Sequence, residues 1–320
     1  MDKITRREVL KRMALLGAGT ALGTLGLTSS SEAVRRRRVL RIAHLTDIHL
    51  QPEGTAVEGT LACLREVHEM KDRPNLILTG GDSVMDVFAQ RRERANTLSK
   101  LWREVFVTNC KIPVFHCVGN HDVWGWNKER SGCTGNEPNY GKKWAMELFE
   151  IERPYYSFDR AGWHFVVLDS TFSVGNSYTA RLDDAQFEWL QADLQRTDPK
   201  TPVLVLSHIP ILSVCAYIDG NNEKTGNWVI PGDWVHIDAR RIIQLFHKHP
   251  NVKLCLSGHM HQYDRAEYDG VTYVCNGAVS GSWWGGNYYQ TPPGYGIIDL
   301  FNDGSFTCEY RPYKGYPKPQ

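Results

Sequence analysis

Short apolar runs rich in β-branched residues recur along this chain, and five of them stop abruptly at Gly, Asp, Asn or His. Arg41-Ile42-Ala43-His44-Leu45 runs into Thr46-Asp47-Ile48-His49, and Leu76-Ile77-Leu78-Thr79 into Gly80-Gly81-Asp82. Pro113-Val114-Phe115-His116-Cys117-Val118 runs into Gly119-Asn120-His121-Asp122. Residues 203–207 lead to His208-Ile209-Pro210, and 252–257 to Gly258-His259-Met260-His261. Such runs, bounded by turn residues, read as buried strands. Between them the apolar period changes. Leu61, Leu64 and Val67 predict a helix over about 59–70, and Leu98, Leu101 and Val105 a longer one over about 91–106. Further helices are expected over about 143–150, after Asp183 as N-cap with Phe187, Leu190 and Leu194, and over about 238–249. Strands 156–159 and 163–169 form a hairpin, and beyond Arg265 the pattern is all β, with turns at Asp269-Gly270 and Asn302-Asp303-Gly304.

Three stretches have no period: 123–142, 212–233 and 281–289. Long loops in compact domains are usually functional. These hold Trp124, Trp126, Tyr217, Trp283, Trp284, Tyr288 and Tyr289. The tail, rich in Pro, Lys and Tyr, is expected to pack on the surface or fray.

The strand ends carry the chemistry, because ligands in α/β proteins gather beyond the carboxyl ends of strands. Of 12 histidines, His44, His116 and His164 lie in strands, while His68, His236, His247 and His249 lie on helices or at their ends. Those seven read as hydrogen-bonded or solvated. The other five, His49, His121, His208, His259 and His261, all sit at strand ends beside Gly, Asp or Asn. Carboxylate, imidazole and amide donors without cysteine suit Mn, Fe or Zn, and not a thiolate zinc site. Asp47, His49, Asp82, Asn120, His208, His259 and His261 are too many for one tetrahedral ion and fit two ions sharing a carboxylate. Two such ions clamp both oxygens of a phosphoryl displacement.

Asp47-x-His49, Gly81-Asp82, Gly119-Asn120-His121-Asp122, His208 and Gly258-His259-x-His261, in that order, resemble the five-block signature of the calcineurin-like metallophosphoesterases. The resemblance implies an α/β fold, a four-layer α-β-β-α sandwich of two mixed β-sheets. It implies one metal on Asp47, His49, Asp82 and His261, and a second on Asp82, Asn120, His208 and His259. A hydroxide bridging such ions would attack phosphorus. His121, not needed as a ligand, is the expected catalytic acid, with Asp122 holding its ring. Met85 stands where the purple acid phosphatase branch has a tyrosine ligand, so the phosphodiesterases and related phosphatases are the nearer likeness.

The function expected is hydrolysis of a small organophosphate, a nucleotide or a phosphodiester. Trp124, Trp126, Tyr217, Trp283, Trp284 and Tyr288 are the candidate substrate-stacking rings. A net charge of +1, and the lack of an Arg or Lys cluster in these loops, argue against a nucleic-acid polymer. The alternative is a non-catalytic, metal-containing envelope or carbohydrate-binding protein on the same fold. The complete ligand set and the spare His121 speak against it.

Arg6-Arg7 precede a moderately apolar stretch from Met13 to Leu27 and small residues up to Ala33, which resembles a twin-arginine export signal. Residues 1–33 are therefore excluded from the fold, leaving 34–320 as a single domain. The twin-arginine machinery is the expected partner, the mature chain is expected in the periplasm or secreted, and no lasting membrane span is expected. Export permits disulfides. Of 8 cysteines, Cys117, Cys255 and Cys275 read as buried thiols. Cys133 and Cys215 lie in loops that the resembling fold puts on one face, and they form the candidate bridge.

Overall fold

Side chains along β1 (Arg38–Leu45) divide between two cores, Leu40 and Ile42 facing one and Ala43 and Leu45 the other. A strand buried on both faces belongs inside a layered structure, and the chain builds four layers. The computed structural model describes residues 35–318. The expected export signal lies outside the described residues.

The first sheet runs in the order β13 (Phe306–Pro312), β12 (Gly294–Phe301), β1, β2 (Leu76–Thr79), β3 (Val114–His116). β1, β2 and β3 are parallel, and β12 and β13 are antiparallel additions. The second sheet has the order β10 (Asp264–Tyr268), β11 (Val271–Cys275), β9 (Val252–Ser257), β8 (Val203–Leu206), β5 (Trp163–Val167), β4 (Tyr156–Arg160). Its four inner strands are parallel, with an antiparallel strand at each edge. Both sheets are mixed.

Leu40, Ile42, Leu76 and Leu78 of the first sheet meet Phe165, Leu204, Leu206 and Leu254 of the second in the middle core. The opposite face of the first sheet packs under helices Ala56–Glu69, Arg92–Trp102 and Lys142–Phe149 through Leu64, Val67, Leu98, Trp102 and Trp144. Helices Asp184–Arg196 and Ala239–His247 cover the second sheet through Leu190, Leu194, Ile242 and Phe246. Each fully buried side chain of this kind is worth about 1.5–3 kcal/mol, so the three cores hold the α-β-β-α sandwich and leave the strand ends free for chemistry.

Asp183 caps its helix as expected, accepting a hydrogen bond from the Gln186 N–H. The helix of Arg92–Trp102 continues as a π-turn over Arg103–Val107. The hairpin β6 (Thr171–Val174) and β7 (Ser177–Ala180) carries no sequence signal of the kind used above and was not anticipated. The tail does not fray at its aromatic residues. Tyr313 is buried and donates to Val279 O, while Tyr316 stacks on Trp284 and donates to Ser280 O. All eight cysteines are free thiols. The Cys133–Cys215 bridge is therefore absent: Cys133 packs with the core under the first sheet, Cys215 with Met260 and Cys275. Among the described residues, no helix is long and apolar enough to cross a membrane.

Candidate metal centre

The ends of β1, β2, β3, β8 and β9 turn sharply, and the ligand candidates sit in the turns. Asp47, His49, Asp82, His259 and His261 have φ of 53°, 48°, 51°, 70° and 55°. Left-handed backbone at non-glycine residues is uncommon and costs of order 1–3 kcal/mol each, so the surrounding structure must fix it. Backbone bonds from Asp47 N to Gly81 O (3.0 Å), His49 N to Asp82 O (3.0 Å) and Gly258 N to His208 O (3.0 Å) do so. The neighbouring glycines are required by close approach. A Cβ on Gly119 would collide with the Asp82 carboxylate, and one on Gly258 with Thr46 and Asp47.

Two clusters result. In one, His261 Nε2 lies 3.3 Å from Asp47 Oδ1, 3.0 Å from His49 Nε2, and His49 Nε2 is 3.8 Å from Asp82 Oδ2. In the other, His208 Nε2 lies 3.2 Å from Asp82 Oδ2 and 3.1 Å from Asn120 Oδ1. His259 closes the second cluster with Asp82 and His208. Asp82 Oδ2 faces both.

The remaining ring nitrogens are spent on backbone carbonyls, which sets the tautomers. His49 Nδ1 donates to Met85 O (3.3 Å), His208 Nδ1 to Gly80 O (2.7 Å), and His261 Nδ1 to Gly281 O (2.5 Å). His259 donates from Nε2 to Asp233 O (2.8 Å), leaving its Nδ1 for the centre. With the rings neutral, lone pairs of imidazoles, an amide oxygen and carboxylates therefore converge on the two clusters. That arrangement fits cations. Burial pulls the His208 ring down, but Asp82 and Asp47 outweigh it and push it up to about 9. Burial also raises Asp82, yet His208 and His121 hold it well below the carboxylate range. The centre asks for positive charge, and N and O donors of this kind suit Mn, Fe or Zn.

His121 donates from Nδ1 to Met85 O (2.6 Å), so its Nε2 points at the centre, 3.9 Å from Asp82 Oδ2. Asp122 does not touch that ring. Its carboxylate accepts from Gly119 N (3.0 Å), Ser83 N (3.0 Å) and Val84 N (3.3 Å), which makes it a cap that ties two ligand loops together. Burial and the Asp82 charge push its carboxyl up to about 7. The expectation that Asp122 orients His121 is corrected: the carboxylates beside that ring are Asp86, with Oδ1 3.6 Å from Nδ1, and Asp82.

A cavity of about 190 Å³ opens over the centre, lined by Asp82, Asn120, His121, His259 and His261. Trp283 and Tyr288 also line it. The other proposed substrate rings do not. Trp124 is buried in the core and donates to Gln90 O; Trp284 is buried over Gly59 and donates to His49 O. Trp126 packs on Phe88 and under Lys142, and the exposed Tyr217 packs edge-on to Trp228. A glycine-rich loop can turn a ring inward as readily as outward, and these four turned away. Sequence reasoning missed Tyr178, Asp219, Asp233 and Trp234, which line the same cavity. Asp219, Asp233 and Trp234 lie in or beside a loop already singled out, whereas Tyr178 sits on the unanticipated hairpin. A larger groove, about 580 Å³, runs along helix Ala56–Glu69 and β13 and contains none of the ligands. The histidines read as structural are so placed: His44 bonds Asn276, His116 stacks on Phe149, and His236 bonds Asp238.

Two sheets with paired clusters at their strand ends define a dinuclear hydrolytic centre. A family model described as calcineurin-like phosphoesterase matches residues 40–263, and the chain belongs to that family. It is 24% identical over 282 residues to a 3′,5′-cyclic-nucleotide phosphodiesterase of Nostoc sp., covering 84% of this chain and 91% of the relative. It is 27% identical over 232 residues to the serine/threonine-protein phosphatase CPPED1 of Danio rerio, covering 70% of this chain and 65% of the relative. A dimetal phosphatase from Danio rerio shares the fold with a TM-score of 0.58 at 14% identity, over 87% of this chain and 98% of that one. The protein is a metal-dependent phosphoesterase.

Proposed function

We propose that the protein is an exported dimetal hydrolase of small organophosphates. The observation that carries this is Asp82, whose Oδ2 faces His208 Nε2 at 3.2 Å and His49 Nε2 at 3.8 Å, one carboxylate shared by two ligand sets. Asp47, His49, Asp82 and His261 would hold one ion, and Asp82, Asn120, His208 and His259 the other. Mn, Fe and Zn suit these donors, and Met85 offers no phenolate. Bound there, the ions supply Lewis acidity and lower the pKa of water.

The chain's own contribution is positional and acid–base. His121 Nε2, aimed inward by the bond from Nδ1 to Met85 O, is placed to give a proton to the leaving oxygen. The His121 backbone N–H, donated to Asp82 Oδ1 (2.9 Å), keeps the shared carboxylate from rotating. The second reading, a nucleotide substrate, is favoured by the cyclic-nucleotide activity in the name of the Nostoc relative and by the Trp283 and Tyr288 rings at the cavity. Export by the twin-arginine machinery to the periplasm or beyond rests on Arg6-Arg7 and the small-residue stretch up to Ala33. Hydrolysis of 4-nitrophenyl phosphate and its bis-ester by chelated and metal-reloaded protein tests the reading. Turnover should vanish with chelation and return with metal, and no turnover in any metal would overturn it.

A further inference from the structure

The cavity beside the metal ligands has the wrong charge for a site that gathers only anions. Among the described residues no Lys or Arg lines it, whereas two further acidic residues, Asp219 and Asp233, do. Asp219 is met by phenols, Tyr288 donating to Oδ2 at 3.1 Å and Tyr289 to Oδ1 at 3.0 Å. Among the described residues, neither carboxylate pairs with a Lys or Arg side chain.

Rings complete the wall. Trp283 and Tyr288 stand perpendicular, at 90° with centroids 5.6 Å apart, and Trp283 lies 4.4 Å from the His261 ring. Tyr178 and Trp234 add two more rings from other segments. Aromatic faces backed by carboxylates attract cations, above all alkylammonium groups. They give no help to a second phosphate. The volume, about 190 Å³, is also below the roughly 300–1,000 Å³ of pockets that enclose drug-sized ligands, which suits a small alcohol better than a nucleoside.

We propose that this cavity holds a cationic alkylammonium group on the substrate's alcohol, with the phosphate at the metal ligands. The substrate class is then choline-like or ethanolamine-like phosphoesters, ahead of nucleotides. The proposal rests on the hydrolase reading. In the reaction a water oxygen bonds to phosphorus, the bond from phosphorus to the alcohol oxygen breaks, and a proton passes to that oxygen. Phosphocholine thus gives choline and inorganic phosphate.

The test compares phosphocholine with 3,3-dimethylbutyl phosphate, which has the same shape without the charge. Metal-loaded protein should show kcat/KM at least about tenfold higher for phosphocholine. That ratio should fall toward one in Asp219→Asn and, independently of the Tyr288 and Tyr289 bonds, in Asp233→Asn. Calorimetry with choline against 3,3-dimethylbutanol needs no turnover and should show the same preference. Equal use of the two esters, with 4-nitrophenyl phosphate turned over, overturns the cation site and leaves the hydrolase reading intact. Selective choline binding, with no ester turned over in any metal, upholds the cation site and ends the hydrolase reading. Absence of both binding preference and turnover sinks both.

Discussion

The Nε2 atoms of His49 and His261 face each other across 3.0 Å, and each ring's other nitrogen is donated to a backbone carbonyl, Met85 O or Gly281 O. Two lone pairs at that distance repel unless a cation lies at them. Metal removal should therefore destabilise the fold as well as stop turnover. An ion present at 100 times its Kd adds about 2.7 kcal/mol. At roughly 2–4 °C per kcal/mol, chelation should lower Tm by about 5–10 °C. Calorimetric melting with and without chelator checks this, and coincident melts would contradict it.

His121→Ala should keep its metals, because its ring nitrogen at the centre is surplus to the two ligand sets. The loss of kcat should reach about 10²–10⁴ on alkyl phosphates, whose leaving oxygen needs a proton. On 4-nitrophenyl phosphate it should be much smaller. Steady-state kinetics on both classes decides the matter, and equal losses would leave His121 an electrostatic group only.

Neighbouring tryptophans should behave oppositely. Trp284 is 5% exposed and packs against Gly59 and Tyr316, so Trp284→Ala should lose about 3–5 kcal/mol of stability. Trp283 is 39% exposed at the cavity, so Trp283→Ala should melt near wild type and raise KM instead. Denaturant unfolding beside kinetics separates the two.

His164, on β5 beside the edge strand β4, lies between Asp159 (2.7 Å) and Asp193 (2.8 Å). Burial alone would lower its pKa, but the two carboxylates outweigh it and raise it above the usual 6.5. A raised histidine contributes stability that is full below its unfolded pKa and lost as pH rises through its folded pKa. The stability of wild type over His164→Gln should therefore shrink from about pH 6 upward. Parallel pH profiles of unfolding free energy for the two proteins would refute the assignment.

The seven candidate ligands could be picked out together because each closely follows a buried or half-buried strand, and an apolar run broken by Gly and a donor group marks a strand end that faces a ligand. The helices were legible from their periods, to within a few residues of Ala56–Glu69 and Ala239–His247. Tyr178 was not, because the hairpin from Thr171 to Ala180 presents mostly exposed or half-buried side chains and no apolar face. Nor was the direction of Trp124 and Trp284, which depends on the space beneath each loop: Gly59 leaves the room that Trp284 fills. Asp122 looked like a partner for its neighbour His121, yet three backbone N–H groups from two loops claim its carboxylate. Such partners come from chain segments far apart, and no local pattern announces them.

Metal stoichiometry in Asp82→Asn tests the dinuclear centre most directly. Wild type loaded with Mn or Zn should hold two ions per chain by elemental analysis, since the ligands form two sets joined at Asp82. The variant should hold less metal than His49→Ala or Asn120→Ala, each of which touches one set, and should lose turnover of 4-nitrophenyl phosphate with it. Two ions retained in Asp82→Asn with turnover near wild type would contradict the shared-carboxylate centre.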